Sequence, residues 1–484
     1  MEIFGNPVRP SVVRSAIRRR EAYARRFHFD PAAVYPLSYR PEPCLKDLVD
    51  LDVLTLDPKQ IEPAPVSAES SVLIATLRMG YGHYRIALAM ASAARALGLR
   101  PLWLDLLSLP GTPGAGVIEH LESLYNLGCR LSRTIPLFDR FYWEPLTSKG
   151  FRALDYNARD RELCRLMAPV FRGLAPELPV VCTHSWAAQA ALHAGMHHVV
   201  NAIPDNWPLA LHLAEGAVHT VQSPSAYLGY RLLKDMGRPG QTLRPMPASS
   251  LRLTGHYVDH ELVHHLEDDS AARFRRIDSG APRRLLISIG GAGVQAEITI
   301  AILRHCAPLF REGRAVLFLN TGHHPRVRDE ISEVLERAGL EFTLHTDWNE
   351  TRDFAEAALR QEVRGIHLFH HEQTFPAVYT TNLLMRASDL LLTKPSELAF
   401  YPIPKLFLRR VGGHEAWGAI RSGEIGDGTV ECRTLPEVLS TLDLLLREDD
   451  LLRGYLDAIL RLAATGRYRG AYEAVELAHR RTSP

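Results

Sequence analysis

The chain has 484 residues, of which 46% are hydrophobic and 23% charged, and its formal net charge is +1. That length allows two or three domains, and the near-zero charge excludes a global pull toward nucleic acid or anionic lipid. Six widely scattered cysteines form no CxxC pair, which argues against a zinc ribbon or a disulfide framework. With no apolar run of bilayer length and no signal-peptide pattern, a cytoplasmic protein is expected.

Residues 1–69 read as an N-terminal extension. It holds a basic segment, SVVRSAIRRREAYARRF, and then a proline-marked stretch from Asp30 to Pro65. The basic segment suits a solvated helix face, or a peripheral contact with the inner membrane surface or the acceptor.

Residues 70–260 alternate strand and helix. The run SVLIATLR stops at Met79-Gly80-Tyr81-Gly82-His83 and passes into RIALAMASAARAL. An apolar, partly β-branched run reads as a buried parallel strand, and the segment after it has helical spacing. Between them lies a tight turn that places His83 near a helix N-terminus, where free N–H groups attract negative charge. Further strands are expected in PLWLDLL, PVVCTHS, HHVVNAI, AVHTVQS and LRLTGH. Tyr125, Phe138, Phe141, Tyr142, Trp143 and Phe151 lie in a longer segment that suits either core packing or an acceptor pocket.

A second alternating series occupies residues 283–450. RRLLISIG runs into Gly290-Gly291-Ala292-Gly293, and AVLFLNTG, EFTLHTD, RGIHLFHH, DLLLTKP and KLFLRRVGG follow. Residues 451–484 are read as closing helices that pack back on the first domain. The alternation predicts two α/β domains, each with a parallel Rossmann-like sheet covered on both faces, facing one another across a cleft.

Each Gly-rich turn alone is a weak signal. Gly291 to Ala296 satisfies G-x-G-x-x-A after a strand, but the next strand ends LFLNTG without the acidic residue that would hold a ribose. A third element follows DLLLTKP: Ser396-Glu397 opens a short helix, where a carboxylate either caps the helix or accepts the vicinal hydroxyls of a ribose. Adjacent histidine pairs such as His197-His198 and His370-His371 do not converge on one ion, so no metal is expected.

The three elements together resemble the GT-B glycosyltransferases, in particular the branch of MurG and the monogalactosyldiacylglycerol synthases. Gly80, Gly82 and His83 match that branch's first turn. Gly290–Gly293 and Gln295 match its second, Ser396, Glu397 and Pro404 its nucleotide segment, and Gly413-His414-Glu415 a following loop. The resemblance spans about Ser70–Ser440. It departs in the loop before Glu397, which is shortened to Thr393-Lys394-Pro395, and at Tyr401, where a glycine is usual.

The resemblance implies a metal-independent, hexosyltransferase-like enzyme that needs no cofactor. It would move a sugar from a nucleotide diphosphate sugar, UDP-linked by analogy, to a hydroxyl of a lipid or small metabolite. Gly290, Gly291, Ala292, Gly293 and Gln295 would hold the diphosphate. Phe369, Ser396, Glu397 and Glu415 would hold the ribose and base. His83 is the candidate base that takes the acceptor's proton, because imidazole titrates near neutral pH. Asp205 is a second candidate for the base or for orienting His83, and Gly80, Gly82 and His184 would line the acceptor side. A non-hydrolysing nucleotide-sugar epimerase and a non-catalytic nucleotide-sugar-binding protein are the alternatives.

Overall fold

The computed structural model describes residues 1–56, 66–78, 80–138, 141–142, 150–290 and 296–480. Strands β1 (Glu2–Ile3) and β2 (Asn6–Pro7) form a small antiparallel hairpin. Then come β3 (Leu37–Pro41), β4 (Asp52–Leu56), β5 (Ser71–Thr76), β6 (Arg100–Asp105), β7 (Val180–Cys182), β8 (Val199–Ala202), β9 (Val218–Val221) and β10 (Leu251–Leu253). The second series is β11 (Arg283–Ser288), β12 (Ala315–Asn320), β13 (Phe342–His345), β14 (Ile366–Phe369), β15 (Leu390–Thr393), β16 (Lys405–Phe407) and β17 (Gly428–Glu431).

The first sheet has 8 strands in the order β10-β9-β8-β7-β5-β6-β4-β3, and the second has 7 in the order β13-β14-β12-β11-β15-β16-β17. All pairings are parallel except that of β3 with β4. Every residue of β5, β11 and β12 is buried. That burial is why these strands read as unbroken apolar runs: helices cover both faces, so no alternation is needed. The fold is therefore two α/β domains with parallel sheets, as the sequence predicts. Every strand expected from the two alternating series is present.

The N-terminal extension is not a separate appendage. Its β3 and β4 extend the edge of the first sheet, with Asp52 and Val53 opposite Leu102 and Trp103 of β6. The basic segment forms the helix Pro10–Arg26, which buries Val12 and Ala16 and packs on the helix Leu154–Leu163. Arg20 pairs with Glu162 at 2.6 Å, and Arg9 pairs with Asp155. Part of the basic face that suited a membrane surface is thus neutralised within the domain. Among the described residues no helix is long and apolar enough to cross a membrane.

The chain crosses between the sheets at residues 254–259. It recrosses beside the same point: His256 N–H donates to the Arg467 carbonyl at 2.7 Å, and Gly470 N–H donates to the His256 carbonyl at 3.0 Å. The helices His260–His264 and Leu266–Asp278 lie between the two expected domains in sequence, and Leu262, Leu266 and Ile277 pack into the second. The helix Asp450–Ala464 stays on the second domain, against Leu266–Asp278. Only Gly470–His479 returns, placing Ala471, Ala474, Val475 and Ala478 in the core under the helix Tyr81–Ala96. Two adjacent crossings leave the sheets joined at one edge and able to face one another.

Candidate active site

Ligands of open parallel sheets bind at the carboxyl ends of the strands, at the point where the strand order reverses. In the first sheet that point lies between β5 and β7. β5 leads to Gly80, whose φ of +85° and ψ of −176° lie in a region only glycine occupies freely. The helix Tyr81–Ala96 then starts with no side-chain cap and no acidic residue in its first turn.

His83 sits in that first turn, half-buried. Its Nδ1 lies 2.7 Å from the carbonyl oxygen of Thr183, just past β7. A carbonyl only accepts, so Nδ1 carries the proton of the neutral ring and Nε2 keeps its lone pair. Burial lowers the His83 pKa. The Thr183 carbonyl and the charges of Asp205 and Glu397 work the other way without cancelling the effect, and His212 adds to the lowering. The ring is therefore neutral, with an unprotonated Nε2, at physiological pH.

His184 meets His83 edge to face, with ring centroids 4.8 Å apart. Its Nδ1 accepts the Trp186 N–H at 3.1 Å and caps the next helix, and burial holds its pKa well below the ordinary value. Ser185 donates to the Leu211 carbonyl at 2.6 Å and has no place as a nucleophile. Asp205 does not orient His83. Its Oδ2 lies 3.2 Å from Nε2 of His212, whose Nδ1 lies 2.7 Å from the Tyr230 hydroxyl. The Thr183 carbonyl does the orienting, and Asp205 reaches His83 through its field.

In the second sheet the order reverses between β11 and β15. β11 leads to Gly290. The remaining residues assigned to the diphosphate, Gly291, Ala292, Gly293 and Gln295, lie outside the described residues, as does Trp143 of the aromatic segment. β15 leads to Lys394, whose Cε lies 3.7 Å from where a Cβ on Gly290 would stand. Lys394 Nζ pairs with Glu415 Oε1. Burial alone would lower the Lys394 pKa, but the Glu415, Glu397 and Asp205 carboxylates raise it, so the ammonium stays charged. Glu415 Oε2 also accepts the Val411 and Gly412 N–H groups at 2.7 and 3.3 Å. Glu415 thus braces its own loop and Lys394, rather than standing open to a nucleoside.

Ser396 is half-buried at the head of the short helix Glu397–Phe400 and makes no side-chain cap. Phe369 requires a correction: it is 0% exposed and stacks on His345 with ring centroids 4.6 Å apart. It is core, and it does not frame a base. Phe141 and Tyr142 are 70% and 58% exposed, so they line no closed pocket. Among the described residues, no group of three or more His, Cys, Asp or Glu is placed to hold a metal ion.

The two reversal points meet. Asp205 of the first domain acts on Lys394 of the second, and Glu397 of the second acts on His83 of the first. Glu397 Oε1 lies 3.5 Å from Arg85 Nε, and a Cβ on Gly82 would stand 3.1 Å from Glu397 Oε2. Tyr81 bonds His323 at the end of β12. Asn206 donates to the Trp417 carbonyl at 3.2 Å.

Sequence reasoning missed Arg85, Lys394 and Tyr81. Arg85 stands where a dinucleotide fingerprint has its third glycine, and Lys394 is a lone cation at a strand end. Those were the available signals. His212 gave none, because its partners Asp205 and Tyr230 meet it only in the folded chain.

Two family models tile the chain. Residues 2–232 match a domain of unknown function, DUF6937, and residues 246–479 match another, DUF6938. The second match includes β10 of the first sheet. Comparison with curated proteins gives no significant match. Among solved structures, the chain is similar to a UDP-GlcNAc 2-epimerase from Neisseria meningitidis bound to UDP-GlcNAc. The identity is 12% and the TM-score 0.44, over 84% of this chain and 98% of that one. It is also similar to an α,α-trehalose 6-phosphate synthase from Burkholderia multivorans, at 10% identity and TM-score 0.42 over 86% and 99%. The glycosyltransferase SnogD from Streptomyces nogalater gives 13% and 0.39 over 86% and 99%. These values are too low to carry an activity across.

Proposed function

We propose that the chain is a glycosyltransferase that takes a sugar from a nucleotide diphosphate sugar and delivers it to an acceptor hydroxyl. Uridine is the first choice of base, and the acceptor is a lipid or a small metabolite. The observation that supports this reading best is the meeting of two strand-order reversals with complementary chemistry. One carries a neutral imidazole with a free lone pair. The other carries a half-buried ammonium beside Gly290.

The acceptor oxygen attacks the anomeric carbon as its proton passes to Nε2 of His83. The bond between that carbon and the phosphate oxygen breaks, and its electron pair leaves on the nucleoside diphosphate. The developing charge is met by Lys394, and Gly290, Gly291, Ala292, Gly293 and Gln295 are the residues assigned to the diphosphate. Glu397 accepts the ribose hydroxyls. The Thr183 carbonyl holds the His83 ring, His184 packs against it, and Asp205 tempers its pKa.

A thermal-shift panel of nucleotides and nucleotide sugars tests the donor side. The expected result is stabilisation by one nucleoside diphosphate and its sugar conjugates. Stabilisation by none of them rejects the reading. A binding protein without catalysis is separated from the enzyme by His83→Ala, which would leave such a protein's role intact.

A further inference from the structure

The first turn of the helix Tyr81–Ala96 is the natural seat for an anion, having free N–H groups and no acidic residue of its own. In this structure a carboxylate of the other domain stands beside that turn. Glu397 Oε2 lies against Gly82 so closely that even a methyl group there would stand 3.1 Å away. Oε1 faces Arg85, and the Glu397 side chain is only 13% exposed. Arg85 itself is 1% exposed and reaches entirely into the second domain. Its Nη1 donates to the Asn382 side chain at 2.7 Å and to the Val378 carbonyl at 3.2 Å. Its Nε makes no hydrogen bond and has Glu397 as its facing charge. Next to it the Tyr81 hydroxyl accepts the His323 N–H at 3.0 Å. Around it Phe375 packs against Tyr84 and Trp103 at centroid distances of 5.6 and 5.2 Å, Arg78 donates to the Thr374 hydroxyl at 3.3 Å, and the Trp348 indole donates to the Cys44 carbonyl at 2.8 Å. Apolar contacts are non-directional, so they permit a small rocking that the directional contacts, those of Arg85 and Tyr81 among them, resist.

We propose that Glu397 has two mutually exclusive partners: in the ligand-free protein it latches the domains together through Arg85 and the first turn of the helix, and a ribose diol takes it only by breaking that latch. The second half rests on the nucleotide-sugar reading; the first does not. Both carboxylate oxygens face the helix, so a diol cannot reach them while the contact holds. Binding energy for the donor is then spent in part on separating Glu397 from Arg85. The apparent affinity is reduced by the latched fraction of molecules.

Hydrogen exchange followed by mass spectrometry, on the full chain, separates this from a simple scaffold role. In the ligand-free protein, Arg85→Gln should speed exchange both in the first turn of the helix Tyr81–Ala96 and in the Glu397–Phe400 turn. Tyr81→Phe, a milder change at the same contact, should do so to a smaller degree and covers the case in which Arg85→Gln does not fold. Adding uridine diphosphate to the wild type should slow exchange at Glu397–Phe400 and speed it in the first turn of the helix. Its affinity should rise about fivefold in the variants, the low end of couplings between sites. Protection of both segments by the nucleotide, or weaker binding in the variants, overturns the proposal. If no nucleoside diphosphate alters exchange anywhere, the nucleotide reading and the exchange of partners fall together. The ligand-free variants still decide whether the latch exists, and unchanged exchange in both refutes it.

Discussion

The two domain faces that meet at the candidate site solve different electrostatic problems. The first-domain face is built from imidazoles: burial keeps His83 and His184 neutral, and a carbonyl and a backbone N–H fix their tautomers. The second-domain face is ionic: Lys394, Glu415 and Glu397 are charged groups held by other charged groups. In the proposed reaction His83 changes charge during turnover, so it must not be locked by a strong counter-ion. Lys394, the proposed anchor for a diphosphate, has to stay charged, and the surrounding carboxylates keep it so.

The largest expected effect comes from breaking the neutral face. His83→Ala should lower turnover by about 10²- to 10⁴-fold, the range for a positioned general base, and leave nucleotide affinity unchanged. Steady-state kinetics beside a binding titration checks both. Equal turnover removes His83 from the reaction. Next is the ionic face. Lys394→Ala removes a charged hydrogen bond worth about 1.5–3 kcal/mol, so nucleoside diphosphate should bind roughly 10- to 100-fold more weakly. The unmodified nucleoside should be little affected, and calorimetry with both ligands makes the distinction.

The pH dependence sharpens the contrast. The folded-state pKa of His83 is below its ordinary value, so the lone pair at Nε2 is available throughout the neutral range. kcat/KM should be flat there and fall on the acid side only below about pH 6.5, the unperturbed imidazole value. An acid limb centred above that value would contradict the burial argument. The smallest effect lies away from the candidate site. Burial pushes the Asp160 carboxyl up to about 7, although it accepts the Trp186 indole N–H at 2.8 Å. The folded state therefore holds the proton more tightly than the unfolded chain, and this stability is lost as pH rises toward 7. Asp160→Asn imitates the protonated form, so its Tm should exceed the wild type's at about pH 8, and the gap should narrow steadily as pH falls and close only near about pH 3.9, the ordinary carboxylate value. Parallel melting curves across that range check it.

The fold was largely legible in the sequence because central parallel strands are buried on both faces. SVLIAT, RRLLIS and AVLFLN could not be anything exposed. The strands of the two large sheets that escaped notice, β3, β4 and β17, lie at or next to sheet edges and are only partly buried, and β3 ends in Pro41. Their residues mix polar and apolar side chains, which hides the pattern. Placement was legible wherever a strand ended at an order reversal, as with Gly80, His83, His184, Gly290 and Glu397, which the fold brings to the ends of β5, β7, β11 and β15. Partnerships were not. The sequence placed Asp205 on His83, but the side chain pairs with His212, and it opened Glu415 to a nucleoside, but the carboxylate braces Lys394. Phe369 shows the limit of reading by analogy, since an aromatic residue at a strand end serves the core as readily as a ligand.

The most direct test is calorimetric titration of a nucleoside diphosphate series into the wild-type protein and into Glu397→Ala. The account predicts one-to-one binding of one diphosphate, tighter than its monophosphate, and a large loss of affinity in Glu397→Ala. Failure of every diphosphate to bind, or equal binding by Glu397→Ala, would contradict it.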